Sequence, residues 1–164
     1  MTGEGKSRTV AREAARRARS AARLYAVQAL FQMEATGADR QSVQTEFETY
    51  RFGLAPEDGA EEFVEGDVDH FRLLLTLAVT WQARIDQMTD AALVERWPID
   101  RIDPTLRALF RAAGAELVAT ETPPRVVISE FVDVARAFFP DGREPKLVNA
   151  VLDHMARDAK PEAF

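Results

Sequence analysis

The chain has 164 residues, 46% hydrophobic and 29% charged, the size and balance of one soluble globular domain with a real core. It holds no cysteine, which excludes a disulfide framework, a thiol nucleophile and thiolate metal sites, and no segment approaches the ~18 to 20 apolar residues of a membrane span. The net charge of −6 is divided unevenly: residues 1–23 carry seven bases against two acids, a net +5, and the remainder carries −11. Such asymmetry marks a basic arm that meets a polyanion.

Residues 1–11 form a basic extension of small and polar residues without periodicity, and are expected to be disordered. No apolar run follows within Met1–Ala22, so the segment is not a secretory signal and the protein is expected in the cytoplasm. From about Arg12 to Ala35 the chain is rich in Ala and Arg and free of Gly and Pro, which predicts a helix. Arg8, Arg12, Arg16, Arg19 and Arg23 fall on one stripe of it, within an arc of roughly 80° at about 100° per residue. Its second half adds the apolar spacing of Leu24, Val27, Leu30 and Phe31, and Gly37 is the expected C-cap residue. One helix therefore carries a basic first half and a buried second half.

Ser42 is the expected N-cap of a second helix reaching Phe52, with Phe47 and Tyr50 turned inward. Gly53–Asp69 holds seven acids and no base, and reads as a solvated loop because the spacing of a calcium-binding loop is absent. A third helix is predicted over Val68–Met88, with a stripe of Phe71, Leu74, Leu75, Ala78, Ile85 and Met88. A short helix follows from Asp90 to Trp97, stopped by Pro98. Asp103-Pro104 reads as an N-cap with proline in the first helical position, opening a helix to about Thr120. The next helix, Pro124–Phe139, is apolar on most of its surface, from Val126 through Val127, Phe131 and Val134 to Phe138. Pro140-Asp141-Gly142 is a turn, and the last helix, Pro145–Arg157, buries Leu147, Val148, Val151, Leu152 and Met155. Residues 160–164 are expected to fray. The fold class is all-α, about seven helices, in a single domain over residues 12–159.

Little in the chain points to catalysis. His70 and His154 lie far apart without a second ligand at i+4, so no metal site is expected, and no phosphate-cradling glycine loop is present. Four scattered serines and no cysteine offer no nucleophile with a recognisable base. No enzyme activity and no cofactor are expected.

Three stretches resemble the NusB family of bacterial transcription antitermination factors. They are RRARSAARLYAVQALFQME (Arg16 to Glu34), RWPIDRIDPTLRALFRAAGAEL (Arg96 to Leu117), and PPRVVISEFVDVARAFFP followed by KLVNAVLD (Pro123 to Asp153). The resemblance spans residues 12–157 with all three in order. It implies an all-helical fold of two packed subdomains, monomeric or homodimeric. It further implies binding to boxA-type single-stranded RNA in nascent ribosomal RNA transcripts, together with ribosomal protein S10, within an antitermination complex on RNA polymerase. The chain departs from the family pattern in two places: its arginines are spread out before "AVQAL", and the "KFVNG" aromatic and glycine are Leu147 and Ala150.

On this resemblance Arg16, Arg19 and Arg23, helped by Arg12 and Arg17, are expected to hold RNA, because a guanidinium fork bonds phosphate oxygens bidentately and stacks on bases. Arg17 lies roughly opposite the main stripe by helical angle. Lys146, at the start of the last helix, is expected to add charge. Asp103 reads as a cap and Glu116 as a structural ion pair. Two other readings stand beside this one. One is a free-standing RNA-binding module like that fused to ribosomal RNA methyltransferases. The other is a helical adaptor whose basic arm binds protein.

Overall fold

A computed structural model describes residues 2–52, 66–93 and 99–164. Among these residues it contains seven α-helices and no strand: α1 Thr2–Thr36, α2 Arg40–Phe47, α3 Val68–Thr80, α4 Gln82–Ala92, α5 Pro104–Ala119, α6 Pro124–Phe138 and α7 Glu144–Ala159. No helix among them is long and apolar enough to cross a membrane.

α5 is the hub. Nearly every residue from Leu106 to Leu117 is buried, and α5 packs on α1, α3, α4, α6 and α7. The small residues Ala112, Ala113, Gly114 and Ala115 make this possible, since they let neighbouring helices approach closely. Asp103 caps α5 as expected, accepting from Thr105 N at 2.7 Å, with Pro104 in the first turn. One continuous apolar core runs from Ala22 on α1 to Ala156 on α7.

α1 is 35 residues long, about 52 Å at 1.5 Å per residue. From Ala22 onward its inner face is core, and Gly37 closes it at φ 73, with its N–H donating to Met33 O at 2.9 Å. Phe31, by contrast, stays partly on the surface. The C-terminal end of α1 is clamped to the body by ion pairs. Arg107 and Arg111 of α5 both reach Glu34, and Arg111 also forks onto Asp86 of α4 at 2.9 and 3.0 Å.

Several expectations require correction. The helix begins at Thr2, so residues 2–11, expected to be disordered, are helical. Gly3 and Gly5 weaken the segment most, and extending an existing helix is far easier than nucleating one. Asp39, not Ser42, caps α2: its carboxylate accepts from Ser42 N at 2.7 Å. α2 continues as a π-helical turn, Glu48–Phe52, which turns Tyr50 outward to 65% exposure while Phe47 stays buried. The predicted Val68–Met88 helix is two helices. Trp81, at φ −103 and ψ 12, resets the direction so that α3 packs on α1 while α4 packs on α5 and α7. Asp90 lies inside α4, which ends at Ala92, and the expected helix beyond Leu93, with the Pro98 stop, falls outside the described residues, as does most of the acidic loop. Val126 is 43% exposed, so α6 is buried along one face only. The tail beyond Ala159 is ordered as a 3-10 turn, Pro161–Ala163. Lys160 Nζ donates to Thr120 O, and the Arg157 guanidinium lies 4.4 Å from the Phe164 ring.

Candidate nucleic-acid interface

From Gly3 to Arg17 every residue of α1 is exposed, so the helix projects from the body as a rod. Its arginine stripe continues directly into the core face. At about 100° per residue, Ala26 and Leu30, both buried, fall in the same arc as Arg8, Arg12, Arg16, Arg19 and Arg23. The stripe is cationic where the rod stands free and apolar where it meets the body.

Arg23 sits at the junction, and it is buried. It is 2% exposed and forks onto Glu116 of α5, Nε to Oε1 and Nη2 to Oε2, both at 2.8 Å. Its Nη1 lies 3.5 Å from Glu130 of α6, and His70 Nε2 of α3 lies 3.3 Å from Glu116 Oε1. Four helices thus meet at one polar cluster. Burial alone would lift the Glu116 carboxyl, but hydrogen bonds from Arg23 and His70 outweigh it and bring it down to about 2. Burial likewise pulls on the Arg23 guanidinium, yet the bonds and charge of Glu116, with Glu130 and Asp67 behind, hold it above its ordinary value. The structural ion pair expected for Glu116 is present. Arg23, expected on RNA, is instead committed to the core and offers no free donor fork to a phosphate.

The other candidates distribute as follows. Arg12, Arg17 and Arg19 are exposed. Arg16 is exposed too and carries only a surface pair with Glu13 at 3.1 Å. The Glu13 hydrogen bond and charge, with the weaker fields of Glu130 and Asp133, hold the Arg16 guanidinium above its ordinary value. Lys146 is exposed in the first turn of α7, which packs chiefly on α6 and α5. Leu147 is part-buried against the core, so an aliphatic side chain serves packing at that position.

Arg16 and Arg17 flank the mouth of a groove of about 540 Å³ between α1 and α6. Ser20, Ala21, Leu24 and Tyr25 line its α1 side, and Glu130, Asp133, Val134 and Ala137 its α6 side. Ser20 Oγ donates to Glu130 Oε2 at 2.7 Å and ties the two walls together. Sequence reasoning missed Ser20, Glu130 and Asp133. They lie about 110 residues apart, and nothing in either segment names the other. Among the described residues no group of His, Asp and Glu side chains is arranged to hold a metal ion. The arrangement offers cations at the mouth, an apolar floor and carboxylates on one wall, which is suited to binding.

Comparison with known proteins bears on this arrangement. The model of the NusB family matches residues 20–157. The chain is 48% identical over 149 residues to the transcription antitermination protein NusB of Maricaulis maris, covering 90% of this chain and 91% of that one. It is similar in structure to NusB of T. maritima, with a TM-score of 0.67 at 27% identity, covering 88% of this chain and 95% of that one. The same architecture recurs in a crystal structure of the antitermination factors NusB and NusE in complex with double-stranded RNA. There the TM-score is 0.67 at 23% identity, and the match covers 85% of this chain and 96% of that one.

Proposed function

The chain belongs to the NusB family, and we propose that it is a transcription antitermination factor that binds nascent RNA through the free half of α1. It acts by binding rather than by catalysis, as its relatives' name implies. The observation that carries the RNA reading is the projecting rod: Arg12, Arg16, Arg17 and Arg19 are exposed on a helix anchored at its far end by core packing. A row of forked cations on a rigid mount grips a phosphate backbone without first having to be ordered.

The RNA is a single-stranded boxA-type element, because bases of an unpaired strand are open to stacking and edge contacts that A-form duplex hides. The protein partner is the NusE-type ribosomal protein S10, and the complex assembles on RNA polymerase in the cytoplasm. A structurally similar NusB has been crystallised with NusE and double-stranded RNA. Arg12, Arg16, Arg17 and Arg19 hold the backbone, Lys146 adds a further charge, and Arg23 holds the rod to the body.

The test is binding of boxA-like RNA, single- and double-stranded, with and without S10, by the wild type and by Arg16→Ala/Arg19→Ala. Weaker binding by the double variant, at unchanged thermal stability, supports the reading. Equal affinity of the two proteins would sink the site assignment.

A further inference from the structure

The α1–α6 groove combines features that a plain phosphate track does not need. Arginines at the mouth suit a polyanion, but a carboxylate on the wall repels one. Of the two carboxylates, Glu130 is committed: it accepts from Ser20 and faces Arg23, and its side chain is 14% exposed. Asp133 is free to act. Its side chain is 66% exposed, and its partner is Arg136 at 2.9 Å in an i,i+3 surface pair that exchanges easily with another donor. Ala21 and Leu24 on the α1 side and Val134 on the α6 side give the groove an aliphatic floor against which a flat ring can lie. The groove is open to solvent and offers about 540 Å³, room for one nucleobase.

We infer that this groove is a base-reading slot. One unpaired nucleobase carrying an exocyclic amino group lies on the aliphatic floor and donates to the Asp133 carboxylate, while Arg16 and Arg17 hold the flanking phosphates. A carboxylate accepts from the exocyclic amino group of cytosine, adenine or guanine, whereas uracil flanks its one N3–H donor with two carbonyl oxygens and is disfavoured. The slot thus converts a sequence-blind cationic rod into a surface that favours amino-bearing bases over uracil at one position. The inference rests on the RNA reading above and adds the source of base choice.

The experiment measures binding of oligo-C, oligo-A and oligo-U of equal length at one salt concentration, using the wild type, Asp133→Asn and Arg16→Ala/Arg17→Ala. The wild type is expected to favour oligo-C and oligo-A over oligo-U on the order of tenfold. Asp133→Asn, whose amide can donate to a uracil carbonyl, is expected to erase that ratio. Freeing Arg136 strengthens all three ligands alike and leaves the ratio untouched. The arginine double variant is expected to weaken all three by one common factor. A wild type that binds all three equally, or an Asp133→Asn that shifts all three by the same factor or not at all, overturns the slot while leaving the RNA reading intact. A wild type that binds none of them, nor boxA-like RNA, removes the RNA reading itself and the slot with it.

Discussion

Arg23 on α1 and Glu116 on α5, 93 residues apart in sequence, meet inside the core in a two-point ion pair with both N–O distances at 2.8 Å. An arginine that shares its helical stripe with surface cations is therefore a structural residue. Removing one partner of a buried pair strands the other charge and costs about 3–5 kcal/mol. Arg23→Ala is expected to lose that much in urea or thermal unfolding, whereas Arg19→Ala, on the exposed rod, is expected to change stability by less than about 0.5 kcal/mol. An Arg23→Ala protein that unfolds like the wild type but loses RNA would reverse the assignment.

The same pair sets an acid limb of stability. The Glu116 carboxyl stands at about 2 when folded against an ordinary 4.5, so the unfolded chain binds the proton more readily. The stabilisation is fully present above pH ~4.5 and is lost as pH falls toward 2, in total about 3 kcal/mol at 1.36 kcal/mol per unit. Glu34, Asp39 and Glu48 are also held low, by Arg107, by the Ser42 N–H and by Arg72 respectively, and they steepen the same limb. Urea midpoints between pH 7 and pH 3 are expected to fall for the wild type. For Glu116→Gln the midpoint starts lower at pH 7 and falls by less. An equal slope in both proteins refutes this account of the limb.

Four exposed arginines on the rod predict a salt dependence. Neutralising four phosphates of a single strand gives a slope of log K against log salt of about −3, and Arg16→Ala/Arg19→Ala should halve it. A slope near zero would remove the electrostatic mechanism.

The rod must also be helical to present its cations. Ala14→Gly/Ala15→Gly is expected to weaken the exposed helix by about 1 kcal/mol per site. RNA affinity should fall, along with helical circular dichroism, while the cooperative unfolding midpoint stays put. Full affinity in this variant would mean the arm binds equally well as a flexible chain.

Gly114 faces α4 where a Cβ would overlap the Ile85 side chain, and Ile85 is fully buried. Gly114→Ala gains helix propensity, yet the overlap is expected to win, for a net loss of about 1–3 kcal/mol read by thermal unfolding. A stabilised variant would show that α4 can move aside.

What was legible in the sequence was local. The Asp103-Pro104 start, the Gly37 stop and the apolar stripes of α3, α5 and α7 are each written within one turn or a few. Arg23 was not legible by position, because periodicity places it among the surface arginines and the core alanines at once. A signal was available all the same: Arg23 and Glu116 each interrupt an apolar stripe, and two opposite charges so placed are candidates for one buried pair. The break at Trp81 carries no glycine or proline; it lets α3 pack on α1 and α4 on α7 while both keep α5, a demand of tertiary packing. The groove joins side chains such as Ser20 and Glu130, brought together by tertiary packing alone.

The shared face of the arginines and the core has a consequence for how the rod is aimed. Core packing beyond Ala22 fixes the rotational phase of the whole helix, so the bearing of every free arginine is set from the buried end. One residue inserted between Arg19 and Ala22 would turn the outer rod by about 100° and carry Arg16 and Arg17 off the groove mouth without removing a single charge. Insertions of seven or eleven residues would restore the bearing to within about 20° while lengthening the reach by about 10 or 16 Å. Rods of quite different length can therefore present the same face, whereas a single-residue slip cannot.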